Sequence, residues 1–224
     1  MLRVSELNGF GAGAPLEFKL VGTNTAIRAG SITMPAGIQQ YDWIFYWDYT
    51  NFNSAGNSPV TPSGFTAVDF SGGSSQLINC VSLKEAAGTE GGTSIAGMSS
   101  GGSQACAKIV LVVRPNIRVK RKGSAVTTGK AFNTSSADLA SFNVNSAGSH
   151  FGILMGSIGS TTGTIGFSTS GQDATLSAVD SNSWGNSRMV YAIANGGSKS
   201  MSCDPTGTQT TPASLGIWQE FEAF

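Results

Sequence analysis

The segment Asp42–Thr50 constrains the fold more than any other stretch of the chain. Trp43, Phe45, Trp47 and Tyr49 alternate there with Asp42, Ile44, Tyr46 and Asp48. Successive side chains of a strand point to opposite faces, so this alternation gathers four aromatic rings on one face and directs them into a core. Ala105–Arg114 follows the same logic. Ala107, Ile109, Leu111 and Val113 form its inward set, while Lys108, Val110, Val112 and Arg114 face partly outward.

The rest of the chain agrees with these two strands. Its polar residues are mostly Ser, Thr, Asn and Gly, which favour turns and caps over helix interiors. Charged residues make up only 12% of the 224 residues, about half the usual share of roughly 25%. Short apolar runs recur between clusters such as Ser71–Ser75, Gly91–Ser94, Ser99–Ser103 and Asn195–Ser198. Runs bounded in this way read as strands. Further strands are predicted at Leu16–Val21, Ile27–Met34, Thr66–Asp69, Leu77–Leu83, Ile117–Lys122, His150–Ile158, Ser187–Ala194 and Leu215–Phe221. Short links imply antiparallel hairpins and Greek-key connections. The expectation is an all-β, antiparallel β-sandwich of about ten strands, jelly-roll-like or Ig-like. Ser136–Phe142 is the one predicted helical turn, and Lys120–Thr134 reads as a long turn. Residues 1–14 are Gly-rich and aperiodic. Residues 1–30 are therefore read as an attachment arm with the first strand or strands, and 31–224 as the sandwich domain.

Composition also narrows the function. Lys plus Arg and Asp plus Glu are balanced at 13 each, which argues against a nucleic-acid binder, usually a strongly basic protein. No apolar run approaches the roughly 18 residues that read as a membrane span, and the start lacks the apolar core of a secretory signal. Cys80, Cys106 and Cys203 cannot make a paired disulfide framework, so synthesis in a reducing cytosol is expected.

Catalytic and metal signatures are weak throughout. His150 is the only histidine, and no C-x-x-C spacing or G-x-S-x-G elbow occurs, so neither a zinc site nor a serine nucleophile is indicated. Asp42 and Asp48 share a strand face but lie about 20 Å apart along it, beyond the roughly 5–9.5 Å of glycosidase pairs. Glu85, Glu90, Asp173 and Asp180 read as solvated turn carboxylates. No D-x-D-x-D-G loop or phosphate-binding glycine loop is present. The expectation is no enzymatic activity and no cofactor. The densest charge feature is Arg118, Lys120, Arg121 and Lys122. It is either a contact for an anionic surface or a solvated hairpin end that guards a sheet edge. Trp184, with Asn182 in the same Ser- and Asn-rich loop, is a candidate for stacking on a sugar or anchoring a protein contact.

A group of short motifs resembles a known module. Met34-Pro35-Ala36-Gly37 followed by Tyr41-Asp42-Trp43-Ile44-Phe45 resembles a "pAG…GDLLlvf" start, with Tyr41 where glycine is usual. Thr61-Pro62-Ser63-Gly64-Phe65-Thr66 resembles "tPsGWt", and Ser82–Glu90 resembles a "yyKvAtgtE" strand and turn. Ile109–Arg114 resembles the apolar strand that follows, and Leu7–Gly13 the opening of small phage tail proteins. Together they resemble a β-sandwich module of tailed-phage tail and virion surface proteins, covering about a third of the chain. The resemblance implies a structural or adhesive role on the virion surface, with a tail component (fibre, receptor-binding or minor tail protein) ahead of a capsid decoration protein or head fibre. A secreted carbohydrate-binding module is the third reading. Expected partners are copies of itself (a homotrimer), other virion proteins and a host cell-surface glycan, without nucleic acid or membrane insertion.

Overall fold

The computed structural model describes the backbone of residues 16–27, 31–51, 61–72, 77–95, 106–124, 126–130, 143–146, 151–160, 162–163, 166–170, 177–179, 186–194, 199–206, 209–210 and 213–224. Side chains are described at 16–26, 31–47, 61–68, 81–95, 108–124 and 217–224. In chain order the strands are β1 (Phe18–Ile27), β2 (Ile32–Thr33), β3 (Gln40–Asn51), β4 (Thr66–Gly72), β5 (Leu77–Ala87), β6 (Ser94–Ile95), β7 (Cys106–Pro115), β8 (Val119–Arg121) and β9 (Val126–Lys130). They continue as β10 (Asn143–Ser146), β11 (Phe151–Ser160), β12 (Thr162–Gly163), β13 (Gly166–Ser170), β14 (Ser177–Val179), β15 (Asn186–Ala194), β16 (Lys199–Thr206), β17 (Gln209–Thr210) and β18 (Ala213–Ala223). Among the described residues six of these strands are only two or three residues long, and the twelve longer ones exceed the expected ten.

The protein is all-β and antiparallel, as its composition implies. A five-stranded sheet runs in the order β1-β7-β3-β5-β4, so the two strands with the clearest periodicity, β3 and β7, lie side by side near its centre. A second sheet runs β14-β15-β11-β18-β8, with β9 also paired to β18. The strands β8 and β9 replace the long turn expected over Lys120–Thr134. They pair with the two halves of β18, at Phe221–Ala223 and Ser214–Trp218 respectively.

The aromatic face of β3 is buried as the alternation requires. Trp43, Phe45 and Trp47 pack with Val81, Leu83, Ile109, Leu111 and Val113. Ile217 and Phe221 of β18 join the same cluster. Phe221 is fully buried, with its ring 4.9 Å from Trp43, 5.2 Å from Phe18 and 6.4 Å from Phe45, centroid to centroid. Such tilted and edge-on pairs are the preferred aromatic geometry. The end of the second sheet is thereby fixed to the inner face of the first.

The opposite face overturns one expectation. Lys108, Val110 and Val112 do not face partly outward; all three are fully buried. Ile44, Tyr46, Val110 and Val112 form a second cluster with Ile32, Met34, Ile38 and Ala86. The cause is the segment from β2 to Ile38, which lies over this face and pairs through β2 with β6. The five-stranded sheet is thus covered on both sides in its centre. Strands buried on both faces carry near-continuous apolar runs, as Ile109–Val113 does. The expected helical turn at Ser136–Phe142 and the arm over residues 1–14 lie outside the described residues.

Candidate functional site

At one end of the five-stranded sheet the loops before β3, after β5 and after β7 converge. A β-bulge interrupts the β3–β5 register between Gln40 and Trp43. Within it Tyr41 has φ +72°, in the left-handed region. Such bulges ordinarily place glycine at this position, and glycine is also what the resembled motif carries there. For a residue with a β-carbon the conformation costs roughly 1–2 kcal/mol. The order of stability at this site should therefore invert the usual strand preference. Tyr41→Gly is expected to be more stable than Tyr41→Ala by about 1 kcal/mol, read from paired denaturant unfolding curves. An equally stable or more stable alanine variant would contradict the strain.

The next residue, Asp42, is 1% exposed. Its Oδ1 accepts from Arg114 Nε at 2.8 Å, and its Oδ2 accepts from Arg114 Nη2 at 2.8 Å and from the Gln39 backbone N–H at 2.8 Å. Arg114 Nη2 also donates to the Gly37 carbonyl at 2.7 Å. This two-pronged pairing is the strong form of a charge-assisted bond. It ties β7 to both sides of the Gly37–Asp42 loop, and hydrogen bonding to Asp42 raises the Arg114 pKa further.

Glu90 holds the neighbouring turn. It is not solvated, as its loop context implied, but 8% exposed. Its carboxylate accepts backbone N–H groups from Ala87, Gly88 and Thr89 at 2.9–3.0 Å and pairs with Lys84 at 2.8 Å. Burial alone would raise its pKa; the Lys84 ammonium and the backbone donors outweigh burial and bring it from 4.5 to about 2. A folded-state pKa below the unfolded one gives stability that is complete above the unfolded value and lost as pH falls towards the folded one. Stability should therefore drop by an amount on the order of 3 kcal/mol across that window. Glu90→Gln should lose this part of the acid dependence, measured as urea midpoints at about pH 6 and about pH 3. An unchanged acid slope in the variant would contradict the assignment.

These turns are locked to one another. The Met34 N–H donates to the Thr93 carbonyl at 2.8 Å, and the Gly92 N–H to the Met34 carbonyl at 3.3 Å. Gly88 has φ +91°, and a β-carbon there would stand 2.8 Å from the Gln40 nitrogen, so only glycine fits. The Thr61–Phe65 turn closes with Phe65 N–H donating to the Pro62 carbonyl at 3.0 Å, with Gly64 at φ +80°. Phe65 packs edge-on against Tyr46 and lies under the Lys84 ammonium, the partner of Glu90.

Of the residues singled out from sequence, Arg118, Lys120, Arg121 and Lys122 are described; Trp184, Asn182 and His150 lie outside the described residues. The basic cluster is not one patch. Lys120 pairs with Glu222 at 3.2 Å and Lys122 with Glu220 at 3.3 Å, across the β8–β18 ladder and its extension. Arg121 Nε donates to Gln219 Oε1 at 2.9 Å, and burial lowers its pKa. Arg118 stands apart. Its guanidinium carbon lies 4.2 Å from the Tyr41 ring centroid and 4.5 Å from that of Phe224, with Glu85 Oε1 3.5 Å from Nη2. Beside it a cleft of about 310 Å³ is lined by Gln39, Gln40, Tyr41, Asn116, Ile117 and Arg118 over the Asp42–Arg114 pair. Sequence reading missed Tyr41, Asp42, Glu90 and Arg114 as members of this end; the substituted bulge glycine was the one local signal for it.

Comparison with known proteins finds no matching family model, no matching curated protein and no matching solved structure. The class of the protein is therefore defined by its own fold: an antiparallel all-β protein with an ion-paired loop end.

Proposed function

We propose that the protein is a structural component of a tailed-phage virion, with its β-structured body displayed outward as a sandwich and used in the tail, as a fibre, receptor-binding or minor tail protein. The observation that carries this reading is what the resemblance motifs do. The Pro35–Gly37 loop, the Tyr41–Phe45 start, the Pro62–Phe65 turn, the Lys84–Glu90 turn and Arg114 are joined to one another by hydrogen bonds, ion pairs and ring contacts. They hold loops in place, which is the function of motif residues in a module that displays a surface. The carboxylates of Asp42, Glu85, Glu90, Glu220 and Glu222 are each held in an ion pair, which favours a scaffold over a catalyst. Self-association, expected as a trimer, accords with a surface of so few charges.

The test is the position of the protein on particles. Antibody raised against the chain, applied as gold label to purified particles from the culture that produces it, is expected to decorate tails. Label on the head lattice would replace the tail reading with a capsid decoration protein. Particles without label would overturn the virion reading.

A further inference from the structure

The cleft beside Arg118 has features that a loop-end frame does not need. Tyr41 adopts a strained backbone at a position where glycine would be free of cost, and both its ring and that of Phe224 lie within 4.5 Å of the Arg118 guanidinium carbon. Strain retained at a surface position points to function. Cation–π contacts of this kind hold a guanidinium through its π-face and leave its N–H donors free for other partners. Among the described residues only Nη2 has a side-chain acceptor, Glu85, at the long distance of 3.5 Å. The exposed side-chain amides of Gln39 and Gln40 line the same cleft, beside Asn116, whose Oδ1 accepts from the Glu17 N–H at 3.0 Å. Ile117, 45% exposed, adds an apolar surface.

Charge decides among ligand classes. Asp42 cancels Arg114 on the floor, and Glu85 stands beside Arg118. A second concavity of about 360 Å³ continues the cleft past Arg114, Pro115 and Asn116 to Glu17 and Lys19, again one charge of each sign. A site for phosphate, nucleic acid or an acidic peptide would carry a cationic excess. Planar amides and a fixed guanidinium, together offering donors and acceptors in forks beside an apolar patch, match paired hydroxyls and the C–H face of a sugar ring.

We propose that the cleft formed by Gln39, Gln40, Tyr41, Asn116, Ile117 and Arg118 binds a neutral sugar residue of a glycan chain. The sugar places vicinal hydroxyls against the amides and Arg118 and its apolar face towards Ile117. The proposal extends the attachment reading above and rests on it only for the surface that bears the glycan. Binding by the isolated protein is measured without particles, so the two can fail separately.

The experiment titrates the intact protein with the uncharged trisaccharides maltotriose, cellotriose and tri-N-acetylchitotriose and, separately, with inorganic phosphate, following amide and side-chain NH₂ resonances by NMR. The expected result is a saturable shift at Gln39, Gln40 and Asn116 with at least one trisaccharide, and none with phosphate. Tyr41→Gly, which relieves the strain and leaves the loop framework in place, is expected to weaken that binding at least ~10-fold, as is Gln39→Ala combined with Gln40→Ala. Unchanged amide spectra away from the cleft would show that each variant remains folded. Shifts with phosphate alone, no shift with any trisaccharide, shifts confined to other residues, or full binding by both folded variants would each overturn the proposal.

Discussion

Phe221→Ala is expected to destabilise the protein by about 3–5 kcal/mol, the range for removing a fully buried aromatic side chain. The ring comes from β18 of the second sheet and fills the space among Phe18, Trp43 and Phe45 of the first. Its loss leaves a cavity at the joint between sheets, where neither backbone ladder can collapse to fill it. Phe221→Leu retains most of the volume and should cost roughly 1–1.5 kcal/mol. Thermal unfolding reads both, with about 2–4 °C per kcal/mol expected for a chain of this length. If alanine and leucine variants melted together near the parent, Phe221 would not join the sheets.

Asp42→Ala carries the second large effect, about 2–4 kcal/mol. It removes three hydrogen bonds from a nearly fully buried carboxylate and leaves Arg114 without its counter-charge. Breaking a buried pair from one side typically costs 3–5 kcal/mol; Arg114 is 34% exposed, and water can recover part of the loss. Adding Arg114→Met to Asp42→Ala should therefore restore at least ~1 kcal/mol, because the unpaired cation is then gone. Strictly additive losses in the double variant would show that the two side chains are not coupled.

The strands are legible in the sequence where the pattern is local. Trp43, Phe45 and Trp47 on β3, and Ile109, Leu111 and Val113 on β7, announce a buried face through strict alternation. Burial of the second face is also written there, because Ile44, Tyr46, Val110 and Val112 are themselves apolar, but Asp42 and Lys108 in the same rows suggest a solvated face. What decides their burial is non-local. Asp42 is buried because Arg114, 72 residues away, reaches it. The basic run over Arg118–Lys122 reads as a patch because the partners of Lys120 and Lys122 lie on β18, at Glu222 and Glu220, about a hundred residues further on, and that of Arg118 is Glu85. Glu90 reads as any turn carboxylate; its burial depends on three backbone donors that converge only once Gly88 and Gly92 adopt positive φ. Tyr41 is the exception. Its departure from glycine in an otherwise matching motif is a purely local signal, and it marks the position that carries the strain and lines the cleft.

The motif residues at this loop end are tied to one another by hydrogen bonds and ion pairs and should behave as one rigid frame. Hydrogen exchange of the intact protein tests this most directly, at the amide of Ala87 at the end of β5 and the loop amides of Gln39, Gly88, Thr89, Gly92 and Thr93. Each donates a hydrogen bond within the frame. These amides are expected to exchange slowly, with protection close to that of the β3 and β7 amides, and to lose it together in Asp42→Ala or Glu90→Gln. Exchange at the rates of open loops in the parent protein would contradict the frame.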